Sequence, residues 1–233
     1  MKMFSTAVLA AVFGLGVATS SSAVTFSASF WDTIPGTDCC PGTADPTPGS
    51  PENNIVNNLA DALAVIDFRE ADATFESSGI DYPNGADGSV DTLGTTLGEF
   101  LGVDAPSIIG DAAQTLSGSI FEFTGLINLV EGINQFVIAS DDGFQLEVGG
   151  VVIGSFFGTR AINSSSTIDF DAGEGGEESI RLVFFDDNRA KIGVEATLNG
   201  DVITAVPLPA GGLLLLSGLG ALGLATRRRK KAA

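Results

Sequence analysis

Glu131-Gly132-Ile133-Asn134-Gln135-Phe136-Val137-Ile138-Ala139-Ser140-Asp141-Asp142-Gly143-Phe144-Gln145-Leu146-Glu147-Val148-Gly149-Gly150-Val151-Val152 reads as strand, turn, strand, turn, strand. Residues 133–140 are mostly β-branched or apolar. Phe144, Leu146 and Val148 then point one way while Gln145 and Glu147 point the other, the period of two that a sheet with one wet face requires. Asp142-Gly143 and Gly149-Gly150 stand where two-residue hairpin turns need positive φ. Similar runs occur at residues 119–123, 151–156, 167–170, 180–185 and 191–198. Many short strands separated by turn chemistry predict an all-β fold, an antiparallel β-sandwich or barrel.

The pattern is fainter toward the N-terminus. Val24, Phe26, Ala28 and Phe30 alternate with Thr25, Ser27, Ser29 and Trp31, which predicts a first strand. Leu59, Leu63 and Ile66 are spaced for a short helix over residues 57–69. A strand beginning at Thr74 and a polar loop through Thr96 follow. Phe121, Phe123, Phe136, Phe184 and Phe185 fall at core positions of their strands, and Trp31 is expected to pack rather than to stack on a ligand.

Both ends differ from this domain. Residues 1–23 have a basic start at Lys2, an uncharged run over residues 7–18 and small residues Ser21-Ser22-Ala23, the order of a secretory signal peptide cleaved after Ala23. Residues 205–233 contain Val206-Pro207-Leu208-Pro209-Ala210, an uncharged Leu/Gly-rich span to Thr226, and Arg227-Arg228-Arg229-Lys230-Lys231. The span is just long enough to cross a thin bilayer, and the basic cluster would stay on the cytoplasmic side. Residues 24–204 remain, enough for one domain with a real core.

The chain carries 29 acidic and 11 basic residues, for a formal charge of −18. All the acids lie in residues 24–204, where the only bases are Arg69, Arg160, Arg181, Arg189 and Lys191. Such a surface repels nucleic acid and concentrates divalent cations. Histidine is absent, which excludes imidazole catalysis, Ser-His-Asp triads and the usual zinc sites. Cys39 and Cys40, adjacent in a Pro/Gly-rich loop, read as a vicinal ring or interchain bridge rather than a catalytic pair.

The C-terminal motif, span and basic tail together resemble the sorting signal of PEP-CTERM proteins, in its VPLPA form at Val206, Pro207, Leu208, Pro209 and Ala210. That resemblance implies recognition by an exosortase at the inner membrane of a bacterium making exopolysaccharide, with transient anchoring before release to the surface or matrix. Residues 121–198 resemble the PA14 domain: Ser140-Asp141-Asp142-Gly143 matches its sharpest element, and residues 171–186 match a later strand. The resemblance implies an antiparallel PA14-like β-sandwich. In its sugar-binding members two consecutive aspartates joined by a cis peptide hold Ca²⁺, which in turn takes two neighbouring hydroxyls of a terminal sugar.

Carried over, Asp141 and Asp142 match the aspartate pair. Asp186 stands where those members place an Asn, with Asp187 and Asn188 beside it. Three carboxylates would bind the ion more tightly but leave it less charge to polarise a hydroxyl. The metal set is therefore Asp141, Asp142 and Asp186, and the ligand set adds Gln145 and Asn188; Arg160 is a further lining candidate. The expected function is calcium-dependent, non-catalytic binding of extracellular polysaccharide or another glycan, adhesin-like and without nucleic-acid partners. Two alternatives remain at this point: an acidic matrix protein with no sugar specificity, and a glycoside hydrolase using two carboxylates ~5 to 9.5 Å apart.

Overall fold

The computed structural model describes residues 25–35, 55–83, 88–116, 118–187 and 190–206. The signal segment with Ala23, the Cys39-Cys40 loop, Asn188, and everything from Pro207 onward lie outside the described residues. No helix among the described residues is long and apolar enough to cross a membrane.

In chain order the strands are β1 (Phe26–Asp32), β2 (Ile34–Pro35), β3 (Ile55–Val56), β4 (Ala73–Ser77), β5 (Asp81–Tyr82), β6 (Val90–Asp91), β7 (Ser119–Leu129), β8 (Ile133–Asp141), β9 (Phe144–Val148), β10 (Val151–Phe156), β11 (Ser165–Asp171), β12 (Gly176–Asp186), β13 (Lys191–Leu198) and β14 (Asp201–Val202). Helix α1 (Leu59–Phe68) precedes β4, and α2 (Leu97–Leu101) precedes a 3-10 turn over Gly102–Ser107. One sheet runs β10-β9-β12-β7-β1-β4. The other runs β11-β8-β13, with β14, β5 and β6 paired to β13. Both sheets are antiparallel, and among the described residues only the short β2-β3 pair is parallel. The expected antiparallel sandwich is therefore the observed fold.

Alternation explains why the two sheets meet. Phe26, Ala28 and Phe30 of β1, Phe121 and Phe123 of β7, Leu182 and Phe184 of β12, and Phe144 and Leu146 of β9 are buried on one face, opposite Phe136 and Ile138 of β8 and Val194 and Ala196 of β13. Phe121 sits at the hub, with ring centroids 5.1 Å from Phe30, 5.3 Å from Phe100 and 5.9 Å from Phe184. Offset and tilted pairs at these separations add to the area term. The opposite face of the sheet containing β1, β7 and β12 is not wholly wet. Trp31, Ile120, Val183 and Phe185 are buried there beneath Leu59, Ala62 and Val65 of α1, so Trp31 packs as expected and its Nε1 donates to Arg69 O at 3.1 Å.

Local chemistry sets the helix ends. Asn58 Oδ1 accepts from the main-chain N–H groups of Ala60 and Asp61, which starts α1 inside the expected span. Thr96 and Glu99 form a reciprocal capping box for α2, a helix that falls just after the expected polar loop. Leu97, Phe100 and Leu101 then close the main core from one side.

The two glycine turns differ from each other. Gly149 and Gly150 have φ of 59° and 76° and join β9 to β10 in a hairpin with Val148 opposite Val151, as the sequence predicts. The Asp142-Gly143 turn is not the expected hairpin. It carries the chain from β8 in one sheet to β9 in the other, and Gly143 is not at positive φ. The physical reason lies in the hydrogen bonds: Asp142 N donates to Phe185 O and Phe185 N donates to Gly143 O, both at 3.0 Å. The turn is thereby bound to β12 instead of folding back on β8.

Candidate cation-binding site

The crossover from β8 to β9 and the end of β12 meet at one end of the sandwich. Asp141 ends β8, Asp142 follows it across a cis peptide bond, and Asp186 ends β12 opposite Ser119 of β7. One carboxylate oxygen from each of Asp141, Asp142 and Asp186 lies within 4.8 Å of the other two. All three side chains are buried, as is Asp187. Strand register accounts for the convergence: β12 is hydrogen-bonded to β9 with Phe184 opposite Phe144, so the residues two beyond each end up at the same rim.

Main-chain groups hold these carboxylates in place. Asp142 Oδ1 accepts from Arg160 N at 2.9 Å, and Oδ2 accepts from Asp187 N at 3.0 Å. Asp141 is pushed up to about 6, first by burial and then by the Asp142 carboxylate, against the opposing pull of the Ile162 main-chain N–H and the Lys191 charge. Burial of several carboxylates together is costly unless cations compensate them. The Arg160 guanidinium does not do so directly, since it donates to Ser140, Ile138 and Ser166 oxygens and lies over the Phe144 and Phe156 rings. Burial lowers its pKa.

Oxygen donors clustered in this way suit a hard divalent cation. Ca²⁺ takes six to eight oxygens at ~2.3 to 2.6 Å, with carboxylates, carbonyls, waters and ligand hydroxyls all acceptable. The residues present therefore fit Ca²⁺.

Not every sequence candidate joins this cluster. Gln145 Nε2 donates to Glu147 Oε1 at 2.8 Å. Glu147 in turn binds Arg181, which also binds Glu122, at 2.7 and 2.5 Å. Gln145 thus belongs to a charged network across β9, β12 and β7, on the face opposite buried Phe144. Asn188 lies outside the described residues. A groove of about 420 Å³ lies beside α1 and is lined by Trp31, Phe68, Arg69 and Glu122 among others, with no residue of the acidic cluster. The sequence analysis named Arg160 only as a lining candidate and missed that the main-chain N–H groups of Arg160 and Ile162 hold Asp142 and Asp141. The available signal was a lone arginine just after Phe156-Phe157-Gly158-Thr159.

Comparison with known proteins supports the fold. No protein-family model matches the chain, and no curated protein matches it. Among solved structures, the PA14 domain of the antifreeze protein MpAFP superposes with a TM-score of 0.57 at 24% identity, covering 79% of this chain and 87% of that one. The PA14 sugar-binding domain from an RTX adhesin superposes with a TM-score of 0.56 at 25% identity, covering 77% of this chain and 95% of that one. The A domain of epithelial adhesin 6 from Candida glabrata, solved in complex with Galβ1-3GlcNAc, gives a TM-score of 0.50 at 12% identity, covering 81% and 87%. The fold is PA14-like.

Proposed function

We propose that this domain binds carbohydrate through a calcium ion held by Asp141, Asp142 and Asp186. One observation carries the reading: three buried carboxylates converge within 4.8 Å where the end of β8, the crossover to β9 and the end of β12 meet. The likeness to a PA14 sugar-binding domain of an adhesin supports it. When bound, the ion supplies positive charge and open coordination positions for two neighbouring sugar hydroxyls. The protein's own groups do the rest. Asp142 is fixed by two main-chain N–H groups, Asp141 is drawn into line by the Ile162 N–H, and Asp186 is set by the pairing of β12 with β7 and β9. Asn188 follows the acidic pair Asp186-Asp187 in sequence and is the amide this proposal assigns to the ligand set. Gln145 has no part in this proposal, since its amide is engaged by Glu147.

The destination belongs to the same proposal. Residues 1–23 direct export with cleavage after Ala23, and Val206 to Ala210 with the span and basic tail behind them direct exosortase processing at the inner membrane. The domain then acts at the cell surface or in an exopolysaccharide matrix as a non-catalytic, adhesin-like binder.

The test is glycan-array binding by the purified protein with calcium, with a chelator, and in the Asp141→Ala/Asp142→Ala variant. Calcium-dependent binding that disappears in a variant with an unchanged circular dichroism spectrum supports the proposal. Equal binding by the variant, or binding indifferent to the chelator, refutes it.

A further inference from the structure

The Arg160 side chain is built into the wall behind the carboxylates but donates only to neutral oxygens. Nη2 reaches Ile138 O at 2.9 Å and Ser140 Oγ at 2.8 Å, Nε reaches Ser140 O and Oγ at 3.2 Å, and Nη1 reaches Ser166 Oγ at 2.9 Å. Its Cζ lies 5.1 Å from the Phe144 ring centroid and 4.7 Å from that of Phe156. A guanidinium has donors and no acceptor. Ser140 Oγ must therefore act as acceptor toward Arg160, and its single proton is directed at Asp142 O, 2.6 Å away. The main-chain N–H of Arg160 holds Asp142 Oδ1 at 2.9 Å. One arginine thus grips Asp142 twice, at its carbonyl through Ser140 and at its carboxylate directly.

A surface arginine at the rim would show none of this. Half-buried, it gives up side-chain freedom and hydration to make bonds that touch no opposite charge. A lysine could not reproduce them, because one ammonium with three donors cannot reach four oxygens while lying over two rings. Groups of this kind, one step removed from an ion, orient the ligands that touch it.

We infer that Arg160 is a positioning residue for the ion site, fixing Asp142 at its main-chain carbonyl through Ser140 and at its carboxylate through its own main-chain N–H. The inference rests on the calcium reading above and extends it to residues that never meet the ion. It differs from a purely structural role in one observable. A structural role lowers the unfolding midpoint and leaves the affinity of the folded protein intact, whereas a positioning role lowers the affinity at temperatures where every variant is folded.

The test is calorimetric titration of Ca²⁺ alone into the full chain and its Arg160→Lys, Ser140→Ala and doubly substituted forms, well below their midpoints. Each single variant is expected to bind Ca²⁺ roughly 10- to 100-fold more weakly. The double variant is expected to be no weaker than the weaker single one, because both changes break the same chain of bonds. Should Arg160→Lys fail to fold, Ser140→Ala decides the question. Wild-type affinity in the folded single variants overturns the inference and leaves the calcium site standing. Absence of Ca²⁺ uptake by the wild type overturns the calcium reading and this inference together.

Discussion

Replacing Gly143 by alanine tests whether the turn holding Asp142 is as closely packed as its geometry indicates. A Cβ at this position would lie 2.5 Å from Phe185 Cε1, 2.6 Å from Phe156 O and 2.9 Å from Gly158 O, all inside the 3.0 Å that real Cβ atoms keep. Two of the three obstacles are main-chain carbonyls, which cannot turn aside as a side chain would. The segment from residue 156 to 158 must retreat, and it leads directly into Arg160 and Ile162, whose main-chain N–H groups hold Asp142 and Asp141. Overpacking of this kind costs about 1–3 kcal/mol. In a domain of this size each kcal/mol moves the midpoint by about 2–4 °C, so thermal circular dichroism should show a fall of roughly 2 to 12 °C. Gly158→Ala is the control: its Cβ would meet nothing within 4 Å and its φ is not positive, so a shift of at most about 0.5 kcal/mol is expected. Calcium affinity should fall in Gly143→Ala and hold in Gly158→Ala. If the two variants melt together at the wild-type midpoint, the packing described around the turn is wrong.

Three other perturbations follow from the same structure. Phe121→Ala empties the hub of the aromatic core and should cost ~3–5 kcal/mol in urea unfolding, a large part of a domain's total stability; a loss under 1 kcal/mol would mean that its five ring neighbours do not depend on it. Tyr82→Phe deletes a buried hydroxyl that donates to Asp104 Oδ2 at 2.6 Å and lies 2.8 Å from Ser77 Oγ, with an expected cost of about 1–3 kcal/mol by the same assay. Asp32 is pushed up to about 6, first by burial and then by Asp72, with Arg69 opposing. The folded state therefore holds more protons than the unfolded state between pH ~4 and ~6, and stability falls as pH rises through that window. Asp141 acts in the same direction. Asp32→Asn should flatten the slope of denaturation midpoint against pH; an unchanged slope would remove Asp32 from the account.

The fold was most legible where side chains obey a single face. β9 falls where its alternation predicts, because Phe144, Leu146 and Val148 face the core while Gln145 and Glu147 do not. β12 was read from residue 180, yet the strand begins at Gly176: its first four residues are exposed, so ladder bonds to β7 extend it and no apolar pattern marks them. Val183 and Phe185 are buried as well as Leu182 and Phe184, because α1 covers part of the outer face, a fact that depends on a helix far away in sequence. The Thr96-x-x-Glu99 signature of α2 was present but its helix is only one turn and a half long. The crossing of Asp141-Asp142-Gly143 between sheets was hidden for a different reason. Asp-Gly favours a local hairpin, and here pairing with Phe185, over 40 positions away, prevails. The acidic cluster could be assembled from sequence only through a family resemblance, since register between β9 and β12 brings Asp186 to Asp141 and Asp142. Gln145 fails as a ligand candidate on local grounds, as its neighbour Phe144 points inward and it points out to Glu147.

The most direct test of the central claim is titration of Ca²⁺ into the wild-type chain and into Asp141→Ala/Asp142→Ala, followed by heat and by thermal midpoint. One ion per chain, with a midpoint that rises as calcium is added in the wild type and not in the variant, is the predicted result. No heat and no change of midpoint in the wild type, or an equal response in the variant, would contradict it.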